Sequence, residues 1–337
     1  MNSSTDPGLK RFRTAARITL AAIYFLILFG ASVRATGSGM GCPDWPKCFG
    51  RWIPPTDASQ LPPNYEELYP YYAGLEFNAF HTWTEYFNRL TGAVVGLLTI
   101  VTLGVALTVW RRDRGLAGLA LAAVLLTGLA GWLGKEVVGS HLTPWMITVH
   151  MAVAVAIVAV LAWAVARSQR DQFSDVSVDL PSWFTPLLFG TLALSLVQVF
   201  LGTRVRESVD VIAVQLGEEL RSQWFARFGL DFMIHRSLSI LVLLTNGVAF
   251  LLVRRFAPDA KALKTMATIL IAIIAAEIAT GASLYYLGMP AILQPVHLLL
   301  AAMLFGTQFS LWVMAGYHRP RVGTRSNAAD APRSAAL

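Results

Sequence analysis

The chain has 337 residues, of which 55% are hydrophobic and only 14% charged, with a mean hydropathy of +0.55. A soluble domain is about one quarter charged, so these figures exclude an ordinary water-soluble fold. The net charge of +7 does not indicate nucleic acid, because the basic residues cluster at the ends of apolar runs and form no stripe interleaved with aromatics. Those runs are about 20 residues long and lack a two-residue alternation, which predicts membrane-spanning helices rather than barrel strands.

In chain order, residues 1–16 form a polar, basic tail, followed by a first span over residues 17–34. No small-residue cleavage site follows it, so the span reads as a retained anchor. Residues 35–79 form a long loop rich in Gly, Pro, Trp and Tyr, containing Cys42 and Cys48. Their spacing makes no CxxC or CxxCH motif, so neither zinc nor covalent haem attachment is supported. On an oxidising side of the membrane they can form a disulfide that pins the loop, with a redox-active role as the alternative. Further spans are expected at residues 80–110, 116–137 and 145–166, then a polar linker over residues 168–182. The second half has spans at residues 183–203, 230–253, 265–287 and 291–316, with a charged loop over residues 204–229. Residues 318–337 read as a disordered basic tail.

The expected fold is an all-α membrane protein of eight transmembrane helices. Residues 17–167 form one four-helix half and residues 183–317 the other. Seventeen Lys and Arg residues lie on the side of the two termini and eight on the opposite side. That asymmetry predicts a multi-pass cell-membrane protein with both termini cytoplasmic.

His235 is followed by His297 after 62 residues, and Asn88 by His150 after 62 residues. The two pairs are offset by 147 residues, as are Arg89 and Arg236. This spacing reads as an internal duplication, and a duplicated unit of four helices must insert in the same orientation twice, as a parallel repeat. An ionisable group in a membrane helix is costly and usually has a task. His235 and His297, at matching depth on helices of one bundle, suit axial ligation of a haem. The other pair departs from that symmetry, since Asn88 is a poor iron ligand and His81 lies two turns away. His81 and His141 read as interfacial residues.

Glu85 lies one turn before Asn88 on the same helical face, where it can pair with Arg89 or handle protons. Glu277 carries the same two readings. Arg34 and Arg206 end the first and fifth spans in similar contexts, and two readings stand for them: snorkelling anchors, or partners of haem propionates.

The run from Thr36 to Cys48, TGSGMGCPDWPKC, resembles the haem A synthase family, as do Glu85 and Arg89, Leu142-Thr143-Pro144 before His150, His235-Arg236, and Gln294-Pro295-Val296-His297. The resemblance spans residues 15–317 and implies oxidation of the C8 methyl of haem O to a formyl group, giving haem A for cytochrome oxidase assembly. It implies haem b as cofactor, bound by His235 and His297 with Arg34, Arg89, Arg206 and Arg236 around the haem groups. It places haem O near Glu85, Asn88 and His150. Implied partners are the lipid bilayer, a separate electron donor and a haem O synthase. Many members of the family have histidine at the position of Asn88, so the substrate iron is expected to be held by His150 alone. A two-haem cytochrome b that only carries electrons is the rival reading, and Asn88 counts against it. A transporter with a parallel repeat is a weaker third.

Reporter fusions after Arg112, Arg170 and Arg255 are expected to report the cytoplasm, and fusions near Asp57 and Ser222 the opposite side. A cytoplasmic signal at Asp57 would overturn the map.

Overall fold

A computed structural model describes residues 6–320 apart from positions 75 and 218. Among the described residues, eight helices are long and apolar enough to cross a membrane. They are α1 (Pro7–Ala35), α2 (Ala79–Thr108), α3 (Arg114–Gly139), α4 (Pro144–Arg167), α5 (Phe184–Leu216), α6 (Leu230–Phe256), α7 (Lys261–Tyr286) and α8 (Leu293–Tyr317). Lipid offers no hydrogen-bond partner for backbone groups, and a helix satisfies them within one segment. The protein is accordingly an all-α, multi-pass membrane protein.

Two expected boundaries move, both because charged residues support helix. α1 starts at Pro7, well inside the expected tail. Asp6 caps it, its side chain accepting from the backbone N–H groups of Gly8 and Leu9, and proline suits the first turn. Leu9 and Phe12 in that early turn are buried in a cluster with Val109 and Leu116. α5 runs on to Leu216 instead of ending at residue 203. Arg204 pairs with Glu207 and Arg206 with Asp210, three and four residues apart as a helix allows, so a cluster that read as loop is helical. The linker contains a short helix at Arg170–Ser174 and the strand Ser177–Val178, which pairs in parallel with Arg319–Pro320. His318 is buried against Phe173, so the expected disordered tail does not begin at residue 318. Residues 321–337 lie outside the described residues.

α1, α2, α3 and α4 pack in a ring, each against its neighbours in that order, with α1 closing on α4. α5, α6, α7 and α8 do the same, and α8 also lies against α1 and α4. With lipid as apolar as the side chains, close backbone approach and interhelical hydrogen bonds hold such contacts. Gly306 on α8 supplies the first. A Cβ there would lie 2.0 Å from the Tyr24 hydroxyl of α1 and 2.9 Å from Val158 of α4. Gln308 and Asn246 supply the second between α8 and α6, with Gln308 Nε2 donating to Asn246 Oδ1 at 3.0 Å, both residues fully buried.

At the end of the bundle that holds the α2–α3 turn, Asp113 caps α3 and also pairs with Arg167 and Arg170 of the α4 end. Arg112 pairs with Asp6. Arg112, Arg167 and Arg170 are thus tied into the helix ends.

Gly306→Ala is expected to lower stability in detergent by about 1–3 kcal/mol through overpacking. Adding Tyr24→Phe, which removes the clashing oxygen, should recover part of the loss in a thermal unfolding experiment.

Candidate functional site

α6 and α8 bring His235 and His297 together, with ring centres 6.5 Å apart and ring planes at 77°. Two imidazoles sharing one metal at about 2.0–2.1 Å per bond have centres roughly 6 Å apart, so this spacing fits a bis-imidazole iron. The neighbouring helices make room for the rings at glycines. A Cβ at Gly202 of α5 would lie 3.4 Å from His235 Cε1, and one at Gly281 of α7 would lie 3.2 Å from His297 Cε1.

The two rings are held differently. His297 Nδ1 lies 2.8 Å from Glu277 Oε2 and 3.0 Å from the Thr280 hydroxyl, both on α7. The Nδ1 of His235 is buried without a hydrogen-bond partner, while Gln198 of α5 donates to the His235 backbone carbonyl.

In the first half, Asn88 on α2 faces Gly30 of α1, where a Cβ would be 3.8 Å from Asn88 Oδ1. His150 on α4 faces Gly134 of α3, at 3.6 Å from its Cε1. Asn88 Oδ1 and His150 Nδ1 are both buried without a partner. Unpaired polar atoms in an apolar interior are uncommon and mark positions that merit a functional account. Gly134 and Gly281 are separated by the same 147 residues as the histidines, and Gly30 and Gly202 by the same 172 as Arg34 and Arg206. Each of the four positions is therefore backed by a glycine one helix earlier. Sequence reasoning missed this pattern, although the offsets could have revealed it.

Glu85 is only 4% exposed, and its carboxylate has two sets of partners. Oε2 accepts from the Cys42 backbone N–H at 2.8 Å, and Oε1 accepts from Arg89 Nε at 3.1 Å. Arg89 also donates to the carbonyls of Cys42, Asp44 and Lys47. Cys42 and Cys48 form the disulfide expected of them. The pair Glu85–Arg89 thus clamps the disulfide loop onto the start of α2. Gly41 completes the fit, since a Cβ there would lie 2.3 Å from the His81 carbonyl. The rest of the loop rests on Phe49, packed edge-on against Tyr69, Tyr72 and Phe77. Tyr71 stacks on His141 at 4.5 Å, laying the loop over the α3–α4 turn.

Arg34 and Arg206 share one partner that sequence reasoning missed. Asp210 binds Arg34 at 2.8 Å and Arg206 at 2.9 Å, joining α1 to α5, and Arg206 also donates to Gln294. A guanidinium has five donors, so this pairing leaves both arginines with donors to spare. Asp210 was hidden because its segment read as loop. Arg236 lies over the Phe232 ring at 6.0 Å.

A family model described as "Cytochrome oxidase assembly protein" (COX15-CtaA) matches residues 13–309. Among similar proteins, the "Heme A synthase" of Shewanella oneidensis is 29% identical over 55% of this chain and 54% of its own length. That of Methylobacterium radiotolerans is 30% identical over 62% of this chain and 59% of its own. That of Methylobacterium sp. (strain 4-46) is 31% identical over 49% and 51%. The chain spans about half the length of the curated relatives it matches.

The clamp generates a direct expectation. Arg89→Ala leaves the Glu85 carboxylate buried without its cation, a change that costs about 3–5 kcal/mol for such pairs. Limited proteolysis within residues 35–79 should become faster, and the disulfide more accessible to reductant, than in the wild type.

Proposed function

Because the chain belongs to the COX15-CtaA family of cytochrome oxidase assembly proteins, we propose that it oxidises one ring methyl of haem O to a formyl group, giving haem A. The name "Heme A synthase" carried by its relatives supports this reading. The observation that carries it is the contrast between the halves: two facing imidazoles, 6.5 Å apart, in one, and an imidazole and an amide at the matching positions of the other. An enzyme that uses one haem and modifies another needs two such unlike sites.

We assign haem b to His235 and His297, in a cofactor half covering residues 183–317. Held there by both imidazoles, it would supply one-electron transfer. Glu277 and Thr280 orient His297, and Gly202 and Gly281 leave the rings room. Haem O belongs to the substrate half, residues 17–167, joined to the other by the linker at residues 168–182. His150 holds the substrate iron from one side. Asn88, on the other, is too weak a donor to close the coordination, and its amide serves as a hydrogen-bonding group. Glu85, one turn from Asn88, handles protons, and through Cys42 and Arg89 it links that site to the disulfide loop. Spare donors on Arg34 and Arg206 suit haem carboxylates at the outer end, and Arg89 and Arg236 occupy matching places in the two halves.

Two hydroxylations of one methyl, each taking one oxygen atom from dioxygen with two electrons and two protons and releasing the other oxygen as water, give a geminal diol, which loses water to give the aldehyde. A separate carrier exchanges the electrons, and a haem O synthase supplies the substrate. Both termini lie in the cytoplasm, which puts the disulfide loop on the oxidising side.

The test is spectroscopic and chemical together. Purified protein loaded with haem O is expected to show a low-spin haem b beside a high- or mixed-spin second haem, and extracted pigment should include haem A after turnover. His235→Ala and His297→Ala should each abolish the low-spin haem b. Asn88→His should move the second haem toward low spin and slow formyl production. Two low-spin bis-histidine centres in the wild type, with haem O unchanged, would overturn the proposal in favour of an electron-carrying cytochrome.

A further inference from the structure

Glu277 sits in the interior of α7, and its side chain is only 14% exposed. A carboxylate at that position in an apolar helix is costly and needs a partner inside the protein. Its partners are the His297 imidazole at 2.8 Å and the Thr280 hydroxyl at 3.5 Å. Thr280 in turn lies 3.0 Å from the same imidazole nitrogen.

We infer that Glu277 is a positioning residue that sets the orientation and donor strength of His297, and so gives the second-half site its electron-transfer character. This rests on the proposed binding of haem b by His235 and His297. Nδ1–H of His297 donates to the carboxylate, which leaves Nε2 as the nitrogen with a free lone pair. Gly281, one turn after Glu277, receives the edge of the ring and limits its rotation. A carboxylate acceptor behind a ligating histidine raises the basicity of the ligand and fixes its tautomer. Stronger donation favours the oxidised metal and lowers its reduction potential, one of the recognised levers on haem.

The first half lacks the device. The position 147 residues before Glu277 is Ala130, and that before Thr280 is Leu133. His150 correspondingly has no carboxylate or hydroxyl at its buried Nδ1, and the Ala130 backbone is what approaches its ring. Two halves with matching glycines thus differ in what stands behind the imidazole.

The experiment uses the full-length, haem-loaded protein and compares wild type with Glu277→Gln, Glu277→Ala and His297→Ala. Redox titration, electron paramagnetic resonance of the oxidised low-spin haem, and haem transfer to an apoprotein scavenger are the readouts. Glu277→Gln should keep the low-spin haem but shift its midpoint potential upward and alter its resonance positions. Glu277→Ala should shift both further and release haem on the order of 10-fold faster. A role confined to helix packing would change thermal stability and leave potential and resonance unmoved. Unchanged potential and resonance in the near-isosteric Glu277→Gln would overturn the inference, whether or not Glu277→Ala folds. A low-spin haem that survives His297→Ala is a different result, which would overturn the ligand assignment beneath it.

Discussion

A polar side chain in a membrane helix must find its partner within the protein, because hydrocarbon offers none. This structure depends on that constraint throughout. The chain places few charges in its spans, and nearly every one described above joins two elements. Asn246 and Gln308 join α6 to α8. Asp210 joins α1 to α5 through two arginines. Glu85 and Arg89 join α2 to the disulfide loop. Asp113 joins the ends of α3 and α4. Apolar packing tolerates sliding and rotation, whereas these pairs have fixed geometry, so they set the register in which the helices meet.

Three positions on even-numbered helices lack such a partner: Asn88 Oδ1, His150 Nδ1 and His235 Nδ1 are buried without a hydrogen bond, each beside a glycine. Asp44 Oδ1, Ser195 Oγ, Gln198 Oε1 and Gln308 Oε1 are also unpaired, so what singles the three out is their matching place on the helices opposite a glycine. The two four-helix rings have glycines at matching positions and differ in donors, two imidazoles in one and an imidazole with an amide in the other.

The disulfide loop belongs to the same logic. It is anchored to α2 by backbone groups that reach Glu85 and Arg89, and it reaches across to His141 at the α3–α4 turn. It therefore lies over the N-terminal ends of the helices that carry Asn88 and His150. Glu85, one turn before Asn88, is the residue through which the loop is tied to that end of α2.

Much of this was legible along the chain. The eight spans were readable because hydropathy over some twenty residues is a local property. The facing of His235 and His297 was foreshadowed by a repeated interval, and the cysteine pair by its short loop. The helix ends at Pro7 and Leu216 were not, because a cap and intrahelical ion pairs extended helix into charged sequence that hydropathy excludes from a span. The partners of Arg34 and Glu277 lay on other helices, and so did the glycines that face the histidines, while Asp210, four residues after Arg206, lay in sequence that read as loop. Sequence by itself determined which stretches are long and apolar enough to span a membrane, because that is a local property of some twenty residues. How each helix is rotated about its axis, and hence which carboxylate meets which imidazole, was decided only in the tertiary structure, because it depends on packing between helices far apart along the chain.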